Sequence, residues 1–201
     1  MKKLAIMVGH NPVKRGASRE GLTEFEYNLD VQGIMLASAH QFGIEAKGFW
    51  RKNGKFEIPR AYEKVKEWGP DVALELHFNS FEDARTNGCE FFWADNFFAK
   101  NLAECLADSV TEKFNIFPRG AQRLVPGDRG YKNITQLGVA AVLCEPFFVT
   151  NQDDWEEFVE DPRGVVKLAS AYLQGVSDYF KELQEVNDTL MPRRYAKWGE
   201  G

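Results

Sequence analysis

Several strands of this chain are short, almost unbroken apolar runs, and that property leaves few folds open to it. Lys3–Val8, Val72–His77 and Val139–Cys144 are too short for typical helices. They are too apolar for strands with one face in water, so they read as strands covered on both sides. Ile44–Trp50 and Cys89–Trp93 are two further strands. Helical stretches alternate with them. Thr23–His40 carries Phe25, Leu29, Leu36 and Ala37 towards one face. Pro59–Trp68 is closed by Gly69-Pro70. Asn96–Phe114 carries Phe98, Leu102, Cys105, Leu106 and Val110, and Val165–Leu183 is the last long helix. Strand–helix alternation along most of a chain predicts a three-layer α/β sandwich with a mostly parallel sheet.

The 201 residues suit one domain with one sizeable core. We place that domain at residues 1–185 and a C-terminal tail at 186–201. From Asn187 onward the tail has no periodic apolar face, and it contains Pro192. Its Arg193, Arg194, Tyr195, Lys197 and Trp198 mix cationic and aromatic groups. They read as a solvated tail or packed arm, with contact to a membrane or anionic envelope surface as the alternative. The formal net charge is -5, which supplies no overall basic face for nucleic acid. Cys89, Cys105 and Cys144 are odd in number and without CxxC spacing, so they read as packed thiols of a reduced compartment. The apolar run after Lys2-Lys3 is too short for a signal peptide, and no stretch reaches transmembrane length. The chain is therefore expected to be made in the cytoplasm without an export signal.

The chemistry gathers where strands end. Open α/β sheets bind ligands beyond the carboxyl ends of their strands. Here the first apolar run ends in His10, the third in His77 and the run Val139–Cys144 in Glu145. The remaining histidine, His40, ends a helix, where the helix dipole gives it a structural reading. Two imidazoles at one sheet edge suggest zinc, which in hydrolases takes three protein ligands such as His2Glu and leaves a place for water. Glu20, Glu24 and Glu26 compete for the third position. Thr23 and Glu26 form the S/T-x-x-E capping box, with Leu22 and Tyr27 at the staple positions. Glu26 thus has a local task, and the metal is assigned to Glu24. The competing reading of Glu24 is a favourable charge at a helix N-terminus. Glu145, alone, would be an ion-pair partner; beside both histidines it becomes the candidate general base.

These residues bring the chain close to a known family. VGH at 8–10, EFEYNL at 24–29, ELHFNS at 75–80 and VLCEPFFVTN at 142–151 resemble, in order, the motifs of zinc N-acetylmuramoyl-L-alanine amidases of the Amidase_3 type. The resemblance implies one zinc ion on His10, Glu24 and His77, and Glu145 as catalytic acid/base. It implies a six-stranded sheet, and peptidoglycan cut between N-acetylmuramic acid and L-alanine. Asn79 matches the Asn after the second histidine and is expected to shape the substrate site. Arg129, in DRGYKN, reads as a surface arginine, with pairing to a stem-peptide carboxylate as the functional alternative. The chain departs from the family at Asn11-Pro12-Val13-Lys14, Ala140-Ala141 and Pro146, which bears on substrate fit more than on metal binding. The implied setting is a monomeric, phage endolysin-like catalytic domain that lyses the cell wall. The alternatives are a zinc hydrolase of another peptide or amide, and a silent wall-binding module.

Overall fold

A computed structural model describes residues 1–54 and 57–190. The chain runs through β1 (Lys2–Val8), the two-residue strands β2 (Ser18–Arg19) and β3 (Leu22–Thr23), and α1 (Glu24–Ser38). A 3-10 turn (Ala39–Phe42) leads to β4 (Ile44–Trp50), α2 (Glu57–Trp68), β5 (Val72–Leu76), β6 (Cys89–Trp93) and α3 (Phe97–Lys113). Then come β7 (Pro118–Arg123), α4 (Tyr131–Thr135), β8 (Ala140–Glu145), α5 (Gln152–Trp155), a π turn (Glu156–Glu160) and α6 (Gly164–Leu190).

Six strands form one sheet in the order β4-β1-β5-β8-β6-β7. All neighbours are parallel except β6 and β8. The apolar runs supply the centre, and alternate side chains serve opposite faces. Leu4, Ile6, Val72, Leu74, Leu76, Val142 and Cys144 join the larger core under α1, α3 and α6. Ala5, Met7, Ala73, Ala141 and Leu143 join a smaller core with Ala61, Tyr62 and Val65 of α2 and Ile134 of α4. This is the predicted three-layer architecture. All three cysteines are buried and unpaired, and burial pushes the Cys89 thiol up to about 11 and that of Cys105 up to about 12. Among the described residues no helix is long and apolar enough to cross a membrane.

Two expectations need correction. The buried face of α1 is not the one carrying Leu29, Leu36 and Ala37, which are exposed. It carries Tyr27, Val31 and Met35 together with Glu24, Asn28 and Gln32. The polar members are used: Gln32 Nε2 donates to the carbonyls of Ile6 (2.7 Å) and Phe49 (3.0 Å), and Asn28 Nδ2 donates to that of Glu24 (3.0 Å). These bonds satisfy side-chain N–H groups that burial would otherwise leave costly, while Asn28 Oδ1 is buried without a hydrogen-bond partner. Second, Phe98 of α3 is half exposed, whereas Leu102, Leu106 and Val110 are fully buried. The last helix also runs past Leu183 to Leu190, while the cationic and aromatic residues expected at 193–198 lie outside the described residues.

Behind β8, Phe114 stacks on Phe158 (centroids 4.0 Å apart) and Phe158 on Phe147 (4.7 Å). Tyr27 donates its hydroxyl to the Phe158 carbonyl (3.1 Å). The stack joins α3, the π turn and the segment after β8, and Phe158 is wholly buried. Phe158→Ala is expected to cost about 3–5 kcal/mol of stability, read from denaturant unfolding. A loss below about 1 kcal/mol would mean that the stack contributes little.

Candidate metal and catalytic site

β1, β5 and β8 are adjacent and parallel, so their carboxyl ends share one edge. His10 lies two residues beyond β1, whose chain continues through a Gly9 N–H bond to the Leu76 carbonyl (2.8 Å). His77 follows β5 directly and donates its backbone N–H to Cys144 (3.0 Å), and Glu145 is the last residue of β8. Glu24 arrives separately, as the first residue of α1.

The local backbone makes that meeting possible. His10 has φ +61°, a left-handed conformation unfavourable for a side-chain-bearing residue and concentrated at functional sites. Asn11 Oδ1 accepts the N–H groups of Val13 (3.0 Å) and Lys14 (2.8 Å), closing the loop that follows. The loop is fastened to α1 by Glu24 N–H to Ala17 (2.9 Å) and Phe25 N–H to Arg15 (3.0 Å). Gly16 has φ +82°, and a Cβ there would stand 2.4 Å from Glu24 Oε2. A Cβ on Gly9 would stand 2.4 Å from His77 Cε1. Both positions require glycine. The capping box forms with altered partners: Thr23 Oγ1 accepts from the Glu26 N–H (3.4 Å) and donates to Glu26 Oε2 (2.7 Å). Glu26 also receives Arg15 Nη1 (2.8 Å), so it is engaged away from the histidines.

Glu24 sits at the centre. Its Oε1 is 2.7 Å from His77 Nδ1 and accepts the Phe78 N–H (3.2 Å). Its Oε2 is 3.1 Å from His10 Nε2 and accepts the Ala17 N–H (3.1 Å). The three ligand atoms lie within 4.8 Å of one another. His10 Nε2 is buried yet makes no hydrogen bond, being near Glu24 Oε2 but not aligned with it. An unpartnered buried nitrogen costs about 1–3 kcal/mol, and a cation at this point would remove that cost. Two imidazoles and a carboxylate are a donor set that zinc accepts, so the residues present fit such an ion. Burial pushes the Glu24 carboxyl up, but the two imidazoles outweigh it and hold it at about 2.

Glu145 is tuned in the opposite direction. The residue is partly exposed, but its Oε2 is buried and unpartnered. Burial pushes its carboxyl up, His77 draws it down and Glu24 raises it, leaving it at about 8. Positive charge held by Glu24 and the histidines would act to lower it. Glu145 lines a cleft of about 280 Å³ with His77, Asn79, Asp128, Arg129 and Asn133. A larger cavity of about 510 Å³ opens between β4 and α2 and contains none of the predicted site residues. Arg129 is exposed and makes no hydrogen bond or ion pair among the described residues. Asn79 Nδ2 donates to Glu90 Oε2 (2.9 Å), whose other oxygen takes Arg119 Nη1 (3.2 Å). The structure thus brings His10, Glu24 and His77 into one cluster, with Glu145, Asn79 and Arg129 around the adjoining cleft, and leaves His40 outside.

Sequence reasoning missed Glu75, Glu90 and Asn133, which also stand at this edge. Glu75 left a signal, as the one charge within the strand VALEL. Asn133 left none, because its relevance depends on where a short helix packs.

The Amidase_3 family profile, described as N-acetylmuramoyl-L-alanine amidase, matches residues 4–178. N-acetylmuramoyl-L-alanine amidase LytC of Bacillus subtilis (strain 168) is 26% identical over 179 residues, covering 86% of this chain and 34% of that protein. The chain therefore spans about a third of that relative's length. The catalytic domain of the CD27L endolysin targeting Clostridia difficile superposes with a TM-score of 0.74 at 22% identity, covering 89% of this chain and 98% of that one. The catalytic domain of CwlV from Bacillus (Paenibacillus) polymyxa var. colistinus gives 0.77 at 19% identity, covering 90% and 99%. At these identities the two structures show a shared fold.

The elevated Glu145 carboxyl makes a stability prediction for chelator-treated protein. A carboxyl raised from 4.5 to about 8 on folding contributes stability that is fully present below about pH 4.5 and lost as pH rises through about 8. Glu145→Gln has no such charge to bury. The variant's stability advantage over the parent is expected to grow between those two pH values and then level off. Thermal or urea unfolding across that range measures it, and a constant difference would contradict the burial of this carboxyl.

Proposed function

The chain belongs to the N-acetylmuramoyl-L-alanine amidase family, and from that premise we propose that it hydrolyses the amide between N-acetylmuramic acid and L-alanine in peptidoglycan. The observation that carries the reading is the cluster of His10, Glu24 and His77 beside the unpartnered Glu145 Oε2. His10 Nε2, the Glu24 carboxylate and His77 Nδ1 would hold one zinc ion. A zinc ion bound there supplies a Lewis acid for the amide carbonyl and lowers the pKa of water.

The remaining steps belong to side chains. Glu145 Oε2 takes a proton from the attacking water and returns it to the departing amine of L-alanine. A carboxyl whose burial favours the protonated form, with a nearby positive charge favouring the ionised one, suits both halves of that transfer. Arg129 lines the cleft near Glu145, makes no hydrogen bond or ion pair among the described residues, and is assigned to a stem-peptide carboxylate. Asn79, tied to Glu90, shapes the floor on which the peptide lies. We take residues 1–185 as the catalytic unit, acting as a monomer on the cell wall in an endolysin-like, lytic role.

Purified peptidoglycan digested with and without a zinc chelator, followed by mass spectrometry of the products, tests the reaction. Chelator-sensitive release of stem peptides beginning with L-alanine, with intact glycan strands, is expected. Cleavage within the stem peptide, or none, would overturn the amidase reading. Glu145→Ala should lower turnover by on the order of 10²–10⁴-fold while zinc remains bound. Near-parental turnover would remove Glu145 from its assigned role.

A further inference from the structure

The reaction described above leaves a buried acid beside the site unused. Glu75 lies in the middle of the sheet, two residues before His77, and is 3% exposed. A carboxylate in such a place is costly unless donors surround it. Four converge on it. The Arg51 guanidinium pairs with Oε1, Asn133 Nδ2 donates to Oε1 (3.0 Å), and the Tyr62 hydroxyl donates to Oε2 (2.7 Å). The fourth is the imidazole of His77, with Nε2 3.1 Å from Oε1. Arg51 is itself 8% exposed and also donates to the Tyr62 oxygen (2.9 Å).

The geometry points to Glu75 as a positioning residue that fixes which nitrogen His77 presents to the site. Arg51 has no acceptor to offer, and Tyr62 and Asn133 both turn donors towards Glu75, so the carboxylate acts throughout as an acceptor. It therefore accepts a hydrogen bond from the Nε2–H of His77. Nδ1, 2.7 Å from Glu24 Oε1, is left as the nitrogen facing the cluster with His10. Acceptors of this kind behind a ligating imidazole set its tautomer, restrict ring rotation and raise its basicity. The same carboxylate ties the site to three separate segments, through Arg51 after β4, Tyr62 of α2 and Asn133 of α4. The consequence for metal affinity, and a bare Nδ1 beside Glu24, rest on the zinc reading above; the hydrogen bond between His77 Nε2 and Glu75 does not.

Two variants test this. Glu75→Gln retains an acceptor oxygen. The double variant Arg51→Met/Glu75→Leu removes carboxylate and guanidinium together, so that no buried charge is stranded. For the full chain and both variants, long-range ¹H–¹⁵N NMR on metal-free protein reports which ring nitrogen of His77 carries the proton. Competition with a chromophoric chelator reports zinc affinity. The parent is expected to hold a proton on Nε2. The double variant, folded by circular dichroism, should shift the proton to Nδ1, beside the remaining Glu24 carboxylate, and bind zinc about 10–100-fold more weakly. Glu75→Gln should fall between. Nε2 bare in the parent, or nitrogen shifts and zinc affinity unchanged in the double variant, would overturn the proposal and leave Glu75 a structural ion-pair partner. Should the double variant fail to fold, Glu75→Gln decides on the same two readouts. A parent that binds no zinc would defeat the metal reading of the site, while the NMR result would still decide the role of Glu75.

Discussion

The site depends on one buried carboxylate. Glu24 opens α1, receives the N–H groups of Ala17 and Phe78, and stands against both His10 and His77. Three segments meet on those two oxygens: the end of β1, the loop leading into α1 and, from far along the chain, the end of β5. The meeting needs absent atoms as well as present ones, since a side chain on Gly16 would strike Glu24 and one on Gly9 would strike His77. A carboxylate so enclosed must be compensated, and the imidazoles that compensate it are the groups proposed to share the zinc ion with it.

Two glutamates a short way apart at the same edge are driven in opposite directions. Glu24 has its ionised form favoured down to about pH 2 by the histidines beside it. Glu145, with a buried oxygen and no donor, keeps its proton up to about pH 8. Environment, not residue type, separates a carboxylate fit to hold a cation from one fit to carry a proton. Glu75 is a third case, enclosed by donors from three elements and facing the rear of His77. Packing of α2 and α4 against the sheet, which looks purely structural, in this way reaches the site.

Much of the fold was legible because strand and helix periods differ and the apolar runs are strong. Ile44–Trp50 and Cys89–Trp93 are strands at the residues read from sequence. β7 escaped because PRGAQR is an edge strand with no fully buried residue, so it carries no apolar pattern. α4 and α5 escaped because helices of five and four residues have too few turns to show a period. The face of α1 was misjudged for a different reason. Its buried side includes Asn28 and Gln32, which serve backbone carbonyls, so counting apolar residues pointed the helix the wrong way.

The sequence by itself determined the layered α/β architecture and which polar residues end the central strands. Apolar runs force those strands inside, and a parallel sheet delivers their carboxyl ends to one edge. It also separated Glu24 from Glu26, because a helix start uses its third residue for capping. Only the tertiary structure decided that His10 Nε2 is left without a hydrogen bond, that Glu145 Oε2 is buried without a donor and that Glu75 backs His77. Those facts depend on distances and angles between segments far apart in the chain. Periodicity and composition carry no record of them, because desolvation and hydrogen-bond alignment arise only once the layers have packed.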